Sequence, residues 1–216
     1  MLLQKKRVAD LLFVVQIIGA FFLAGSQFIR FLHKTDGQTL SMLLLMEAFM
    51  FLHLALAISS HRHNPSRVTS QQVKTFVMWI VLIGSNIAAF WWSSGFRWNH
   101  NDSVTAVIAL AGSVAVFGFS RALGRDWREP APKGLVAILF KAWPQTMMAV
   151  NIAQFGNAGV PAIALIAGHV TVATRIFQGL MAVIENPREH NRLWLLASEI
   201  LNELSWIAVT IVWLVS

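Results

Sequence analysis

Long apolar stretches alternate with short polar ones along the whole chain. Seven of the apolar stretches hold about 20 residues or more, the length of helix that crosses a hydrocarbon core about 30 Å thick. Proline, glycine and polar residues separate them, and the longest polar break, Gly124–Gly134, follows the fourth stretch. The pattern predicts seven transmembrane helices, which we call spans 1 to 7, at about Val8–Phe31, Gln38–Ser60, Val73–Ser94, Ser103–Leu123, Leu135–Gly156, Val160–Ile184 and Leu193–Val215.

The overall composition favours the same class of protein. Hydrophobic residues make up 56% of the 216 residues and charged residues 12%, and the mean hydropathy is +0.60, which is not the composition of a soluble domain. We therefore expect an all-α integral membrane protein. The sequence contains no cysteine, which excludes disulfides, thiolate metal sites and lipid anchors on cysteine.

The net charge of +7 is unevenly shared between the two sides that seven spans would create. The side with the N-terminus and the loops after spans 2, 4 and 6 is strongly basic, whereas the other side holds Arg30, Lys34 and Arg97. Because basic loops stay in the cytoplasm, we expect a cytoplasmic N-terminus and an external C-terminus, in the cell membrane or an inner membrane. Contact with anionic lipid headgroups explains the basic loops better than nucleic-acid binding does. The basic residues of the predicted cytoplasmic side are Lys5, Lys6, Arg7, Arg62, Arg67, Lys74, Arg121, Arg125, Arg128, Lys133, Arg188 and Arg192.

The order of the spans indicates an internal duplication. Three spans precede span 4 and three follow the polar break. Because three is an odd number, the single intervening span 4 gives both triplets the same orientation in the membrane, as a parallel repeat requires. Spans 3 and 7 each carry a tryptophan about two turns before an asparagine: Trp79 before Asn86, and Trp194 before Asn202. We expect a 3+1+3 arrangement of two parallel triple-helix bundles, residues 1–94 and 135–216, joined by a linker helix and hydrophilic connection over residues 95–134.

Short motifs in spans 1 and 5 resemble the PQ-loop superfamily. Span 5 contains the dipeptide Pro144-Gln145, and the corresponding place in span 1 has Ser26-Gln27, followed by the basic, glycine-containing loop RFLHKTDGQTLS. The superfamily includes the SWEET sugar facilitators, the half-sized SemiSWEETs, lysosomal amino-acid exporters and, more distantly, PnuC-type vitamin transporters. The predicted orientation, with the N-terminus inside, is similar to that of the PnuC-type proteins.

The resemblance implies a carrier whose substrate is bound near the midplane by a pair of asparagines, at positions that Asn86 and Asn202 match. The residue types suit such a role, because an asparagine amide both donates and accepts hydrogen bonds to a hydroxyl-rich ligand. Trp79 and Trp206 offer large flat surfaces for a ring or a cation. The alternative for Asn86 is a hydrogen bond between helices without any substrate.

Pro144 interrupts the backbone hydrogen bonds of span 5. Proline has no N–H to donate and crowds the carbonyl four residues earlier, here that of Phe140. One interpretation is a simple kink, since neighbouring groups often satisfy the freed carbonyl; the other is a hinge about which half of span 5 swings. The resemblance favours the hinge, because PQ-type prolines are thought to allow rocking between outward-open and inward-open states. We expect Gln145 to supply a compensating hydrogen bond, and Ser26 with Gln27 to form a milder soft point in span 1.

Charged residues inside the spans mark the interior of the bundle, because each costs about 2.5–3.5 kcal/mol in hydrocarbon. The strongest group lies on span 7 and consists of Glu199, Asn202, Glu203 and Trp206. Their helical spacing places all four on one face, which we expect to point into the bundle. Arg175 in span 6 is predicted to lie at the depth of Glu199, as either a structural salt bridge or a gating pair.

The remaining titratable residues of the spans receive separate predictions. Glu47, isolated among methionine and leucine in span 2, is expected to couple transport to a proton or to the substrate. Lys141, about two turns into the predicted span 5, is expected to extend to the cytoplasmic surface. His53 and His169 are interpreted as hydrogen-bonded interior histidines rather than metal ligands, since no HxxxH or HExxH spacing occurs in the sequence.

These predictions together favour a transporter that moves a small polar metabolite, sugar-like or related, by alternating access. Two alternatives remain: a seven-helix receptor or sorting factor of the same architecture, and a PnuC-like facilitator of a vitamin or nucleoside. The sequence has no GxSxG, GxGxxG, P-loop or zincin motif, so we expect neither an enzyme nor a bound metal or cofactor. The expected partners are a small-molecule substrate and the lipid bilayer, with or without assembly into a homo-oligomer.

Overall fold

The chain folds into long helices joined by short connections. The computed structural model describes residues 2–35, 38–93, 98–156, 160–185 and 192–216, without the side chains of residues 2–6, 9, 185 and 192. Within these ranges, seven helical stretches are long and apolar enough to cross a membrane, as expected for a multi-pass membrane protein. Spans 1 to 7 are Leu2–Phe31, Leu40–His63, Arg67–Trp92, His100–Ala122, Pro130–Phe155, Ala162–Glu185 and Arg192–Val215.

Capping residues set the starts of spans 3 and 4. Ser66 Oγ accepts from the Thr69 N–H at 3.2 Å, and Thr69 Oγ1 accepts from the Ser66 N–H at 3.0 Å. Asn99 and Asp102 exchange the same two kinds of bond, at 2.9 and 3.1 Å. Such reciprocal caps satisfy two of the N–H groups that a helix leaves unpaired at its start. They explain why both helices begin a few residues before the first residue of the predicted apolar stretch.

Span 5 also begins earlier than predicted, and it is not a uniform helix. It starts at Pro130 rather than at Leu135, because proline suits the first position of a helix, where no N–H needs a partner. An α-helix over Pro130–Ala137 is followed by a π-helical turn over Ile138–Ala142 and by a second α-helix over Trp143–Phe155.

We call spans 1 to 3 the first group and spans 5 to 7 the second group; the two are in contact along two lines. Span 3 packs against spans 1 and 2, and span 7 packs against spans 5 and 6. Between the groups, span 1 lies along span 6, and span 2 contacts span 5. Span 4 packs against spans 2 and 5, beside the second of these lines.

Two glycines allow the closest approaches between helices. A Cβ atom at Gly19 in span 1 would lie 2.6 Å from Thr171 Oγ1 in span 6, and one at Gly134 in span 5 would lie 2.6 Å from the carbonyl oxygen of Trp194 in span 7. Neither distance leaves room for a methyl group. Small residues at such crossings let helix backbones pack directly on one another, as is usual between transmembrane helices.

Buried polar side chains connect spans 2, 4 and 5 at the end where spans 2 and 4 begin. Asp102, which is 1% exposed, accepts from the Ser41 N–H at 2.9 Å and from Ser41 Oγ at 2.8 Å. The neighbouring Asn101 Nδ2 donates to Gln154 Oε1 at 2.8 Å and also to Asn151 Oδ1. These bonds fix span 4 to its neighbours at one end.

The seven predicted membrane-capable helices are confirmed. The predicted and observed helices differ in where they begin and end. The boundary predicted after residue 94 lies outside the described residues, as do Arg97 and Arg188, which contributed to the predicted orientation.

Candidate functional site

Span 5 changes helix type immediately before Pro144. In the π-helical turn over Ile138–Ala142, the N–H of Trp143 donates to the carbonyl of Ile138, five residues earlier. An uninterrupted α-helix would require Pro144 to donate to the carbonyl of Phe140, which a residue without an N–H cannot do. The wider turn accommodates the proline, and π-helical turns are frequent at functional sites. The interruption predicted from Pro144 is therefore observed as a change of helix type.

The π-helical turn carries a buried lysine that pairs with span 7. Lys141 Nζ lies 2.5 Å from Glu199 Oε1, and the two side chains are 3% and 20% exposed. The prediction that Lys141 extends to the surface is wrong, because the helix begins at Pro130 and places Lys141 about 16 Å along it. The predicted partner of Glu199 also differs, since the described ion pair joins it to Lys141 and not to Arg175.

Arg175 lies instead against an aromatic ring of span 3. Its Cζ is 5.6 Å from the centre of the Trp79 ring, a cation–π contact. The guanidinium remains within electrostatic range of both Lys141 and Glu199. Among the described residues, no carboxylate lies within ion-pair distance of Arg175. The charge of Arg175 is therefore balanced less completely than that of Lys141.

Five spans contribute one side chain each to this region, which we call the central cluster: Phe49, Trp79, Lys141, Arg175 and Glu199. Phe49 joins it because the Lys141 ammonium lies 5.6 Å from the centre of its ring. Counted from the nearer helix ends, the three charged residues lie about 10–16 Å deep at 1.5 Å per residue, near the middle of a hydrocarbon core. The central cluster thus joins spans 2, 3, 5, 6 and 7 at a depth where charge is costly.

Two polar atoms of the central cluster are buried without a hydrogen-bond partner in the described part of the chain. They are Glu199 Oε2, an acceptor, and Trp79 Nε1, a donor. A buried polar atom left unpaired costs about 1–3 kcal/mol, and most such atoms in folded proteins are paired. The cluster therefore offers one acceptor and one donor, beside two cations, to a polar ligand.

Gln145 connects the proline to the polar face of span 7. Its side chain is 2% exposed. In the amide orientation that satisfies its neighbours, Gln145 Nε2 donates to Asn202 Oδ1 at 3.0 Å, and Oε1 accepts from Trp206 Nε1 at 2.9 Å. Ser205 Oγ also lies 2.6 Å from the amide. We expected Gln145 to replace the backbone hydrogen bond that Pro144 cannot make. Its side chain instead bonds Asn202 and Trp206 in span 7, which places Pro144 and Gln145 beside these two residues.

Glu203, the second carboxylate of span 7, binds the histidine of span 6. His169 Nδ1 lies 2.5 Å from Glu203 Oε1, and His169 Nε2 lies 2.8 Å from Thr210 Oγ1. With a proton on Nδ1 the ring donates to the carboxylate, while Nε2 pairs with the hydroxyl, which can donate or accept. His169 is therefore a hydrogen-bonded interior histidine, as predicted. Glu203 Oε2 has no described hydrogen-bond partner.

The two candidate asparagines are each bonded to the first helix of their own group. Asn86, 4% exposed, donates through Nδ2 to the carbonyls of Ala24 in span 1 at 3.1 Å and of Leu82 at 2.9 Å. Asn202, 2% exposed, bonds Gln145 in span 5. Asn86 thus makes the interhelical bond considered as its alternative, while its Oδ1 has no partner among the described residues. No described hydrogen bond joins Asn86 to Asn202.

The other predicted site residues lie away from the central cluster's ion pair. Glu47 faces Gly84, where a Cβ atom would lie 3.6 Å from Glu47 Oε1, and Glu47 Oε2 is buried without a described partner. Ser26 Oγ donates to the carbonyl of Leu23 at 3.1 Å inside an uninterrupted helix. Gln27 Oε1 accepts from the buried Arg30 guanidinium at 3.2 Å.

The polar face predicted on span 7 does point into the bundle, toward spans 5 and 6. The prediction did not include Lys141 as a site residue, nor Phe49. The signal for Lys141 was present in the sequence, since Glu129-Pro130 marks an earlier helix start and moves Lys141 away from the surface. No signal in the sequence identifies Phe49, because an apolar residue in an apolar helix has no distinguishing pattern.

The chain has no match among the known proteins with which it was compared. No family model matches the chain, and neither a curated protein nor a solved structure matches it. In the described ranges, no group of three or more His, Cys, Asp or Glu residues is placed to hold a metal ion.

Proposed function

We propose that this protein is a membrane transporter that moves a small polar metabolite, sugar-like or related, by alternating access. The observation that carries the proposal is the central cluster, in which charged and aromatic side chains of five spans meet near mid-depth, with a donor and an acceptor that lack a partner among the described residues. Ionisable groups at this depth commonly mark substrate or ion pathways. A polar substrate would satisfy these two atoms.

The helix contacts support a duplicated carrier. Span 3 packs on spans 1 and 2 as span 7 packs on spans 5 and 6, and span 1 lies along span 6 as span 5 contacts span 2. Two parallel triple-helix bundles, related by an axis along the membrane normal and joined by span 4, would produce this repetition. In the proposed 3+1+3 arrangement, the substrate path runs between the bundles.

Movement at the π-helical turn would act on the binding groups directly. Lys141 lies in that turn and Gln145 follows Pro144, while their partners Glu199, Asn202 and Trp206 all lie on span 7. A swing of the first part of span 5 would therefore change the Lys141–Glu199 contact, with Pro144 and Gln145 at the pivot. This coupling between the pivot and the binding groups is the mechanical basis of the proposed alternation.

The proposal is tested by binding and uptake with the purified protein. A thermal-shift screen with sugars, nucleosides, vitamins and amino acids would identify a ligand, whose uptake is then measured in proteoliposomes. Asn202→Ala is expected to abolish uptake while leaving a folded protein, and Asn64→Ala, at the exposed end of span 2, is the matched control. Unchanged uptake in Asn202→Ala would remove Asn202 from the site, and a ligand that binds without being transported would indicate a receptor.

Two carboxylates are the proposed proton-coupling groups, because Glu203 Oε2 and Glu47 Oε2 lack described partners. If either of them couples protons to transport, uptake responds to an imposed pH gradient. Glu203→Gln and Glu47→Gln then show which carboxylate carries the response. A flat response in the unmodified protein would indicate a uniporter.

The proposed orientation, with the N-terminus in the cytoplasm, is tested by cysteine labelling. The chain has no cysteine of its own, so Asn64→Cys and Ser216→Cys each introduce one unique thiol. A membrane-impermeant maleimide added to intact cells is expected to label residue 216 and not residue 64. The reverse pattern would invert the proposed topology.

A further inference from the structure

A cavity of about 870 Å³ lies where the loop after span 4 meets span 2. Its basic lining consists of three arginines, Arg121 in the last turn of span 4 and Arg125 and Arg128 in the loop. Its apolar lining consists of Leu52, Phe117 and Trp127. The lining of the cavity is thus both basic and apolar.

The acidic residues of this loop are engaged in local backbone contacts. Asp126, which also lines the cavity, accepts from the Arg128 N–H at 2.8 Å through Oδ1. Glu129 Oε1 accepts from the Asp126 N–H at 3.1 Å. Within the described part of the chain, neither carboxylate lies within ion-pair distance of an arginine. The cavity therefore keeps an excess of positive charge.

Aromatic contacts hold the loop against the helix. The Trp127 ring meets Phe117 edge to face, with ring centres 6.2 Å apart, and the Arg128 guanidinium lies 5.6 Å from the Trp127 ring centre. Trp127 is half-buried, whereas Arg121, Arg125 and Arg128 are exposed. The Arg125 and Arg128 guanidinium groups therefore lie on a loop that packs against span 4, and Arg121 lies on span 4 itself.

The position of the cavity identifies a lipid as the ligand. Apart from Leu52, its lining runs from Phe117 near the end of span 4 to Arg128, two residues before span 5 begins at Pro130, so a membrane crossed by span 4 would have its headgroups at this end of the helix. Large apolar side chains of span 4, the helix that carries Arg121, are exposed, including Val114, Phe119 and Leu123 at 73%, 72% and 68%. They supply a surface for acyl chains that a free anion would not use.

We propose that this cavity is a specific site for an anionic phospholipid, with the phosphate held by Arg121, Arg125 and Arg128 and an acyl chain lying along span 4. Guanidinium groups match phosphate oxygens in pairs, and basic pockets between transmembrane helices on the cytoplasmic side favour anionic headgroups. The site is distinct from the central cluster and independent of the substrate. Since span 4 packs against spans 2 and 5, the bound lipid would contact the helix that joins the two groups.

The test counts the lipids bound to purified protein by native mass spectrometry, in micelles that contain equal amounts of phosphatidylglycerol and phosphatidylcholine. Micelles remove any effect of membrane orientation. The unmodified protein is expected to retain phosphatidylglycerol preferentially. Each of Arg121→Gln, Arg125→Gln and Arg128→Gln is expected to lower that affinity about fivefold, the effect of one basic residue near an anionic surface, and the triple variant to abolish the preference.

The matched control, Arg7→Gln with Arg62→Gln and Lys74→Gln, removes three exposed cations from the same predicted face but outside the cavity. It is expected to keep the preference. An equal loss in the control would show a diffuse basic surface and overturn the proposal, as would displacement of the lipid by inorganic phosphate. Thermal unfolding in phosphatidylcholine alone is expected to be the same for both triple variants, which shows that lost binding does not reflect misfolding.

Discussion

Spans 1 and 5 are the first helices of the two groups, and they are built differently. Span 1 is an uninterrupted α-helix in which Ser26 bonds a carbonyl of its own helix. Span 5 contains a π-helical turn, a proline and a buried lysine, and its side chains bond span 7. In our proposal the two groups have the same arrangement of helices. The polar contacts that would change when span 5 swings lie mainly in the second group.

The two asparagines show the same difference in finer detail. Asn86 bonds the backbone of span 1 at Ala24, whereas Asn202 bonds a side chain of span 5, Gln145. A backbone carbonyl is present whatever the residue, so the first contact does not depend on the side chain of span 1. The second contact requires a side-chain amide at residue 145. The second group is thus more specialised in sequence.

The largest expected effect comes from the buried ion pair of Lys141 and Glu199, because the described ion pair of the first group, Arg67 with Asp10 at 2.8 Å, is far more exposed. Lys141→Met leaves Glu199 as an unpaired buried charge and is expected to lower the free energy of unfolding by about 3–5 kcal/mol. Glu47→Gln, in the first group, removes a carboxylate without a described ionic partner and is expected to change it by about 1 kcal/mol or less. Both are measured by denaturant titration in detergent micelles. Equal losses of unfolding free energy would show that the two groups depend equally on their buried charged residues.

A double variant separates lost pairing from lost packing. Lys141→Met with Glu199→Met removes both charges and is expected to recover most of the stability that Lys141→Met loses, because a buried pair replaced by apolar residues is often neutral. A double variant as unstable as the single one would show that the lysine stem, and not its charge, stabilises the bundle.

An intermediate effect is expected from the asparagines. Asn202→Ala removes the Oδ1 acceptor of the buried Gln145 amide, whose Nε2 keeps Ser205 Oγ as a partner, and is expected to cost about 1.5 kcal/mol. Asn86→Ala removes one interhelical bond and is expected to cost about 1 kcal/mol or less. Unfolding midpoints measured side by side give the order. If Asn86→Ala is the more damaging, the first group carries more of the polar stabilisation than its contacts indicate.

The smallest expected effect on stability concerns the soft points, whose substitution changes a rate instead. Pro144→Ala permits a regular helix, since alanine is favoured over proline inside a helix by ~3 kcal/mol. If about half of that energy opposes the swing of span 5, the barrier to transport rises by ~1.4 kcal/mol and the rate falls about tenfold. Ser26→Ala is expected to leave the rate within about twofold, because its bond lies within a helix that is already regular. Initial uptake rates in proteoliposomes measure both. Equal slowing would make the two soft points equivalent.

Most of the fold could be predicted from the sequence, because the length of an apolar stretch alone decides whether it spans a bilayer. The predicted helix starts were too late because the first turns of spans 3 and 5 are helical although they are not strongly apolar. Ser66 caps the first turn of span 3, and Pro130 begins span 5. The shift at Pro130 then changed the depth assigned to Lys141. One boundary error therefore altered the prediction for a site residue.

The partners within the site were harder to predict, because sequence gives depth along a helix but not the rotation between helices. Arg175 and Glu199 lie at compatible depths, as expected, but Arg175 is turned toward Trp79 and Glu199 toward Lys141. The face of span 7 was predicted correctly because it needs only the helical period. The neighbours that it meets depend on packing that no single helix encodes.

The buried ion pair also has a consequence for how the protein is made. Lys141 and Glu199 are 58 residues apart in the chain, so a ribosome at the membrane delivers the lysine of span 5 well before the glutamate of span 7. Until then, span 5 would lie in the bilayer with an unpartnered cation, at a cost of about 2.5–3.5 kcal/mol. The insertion of span 5 is therefore expected to be completed only when span 7 arrives, and a chain halted before span 7 should hold span 5 less stably in the membrane.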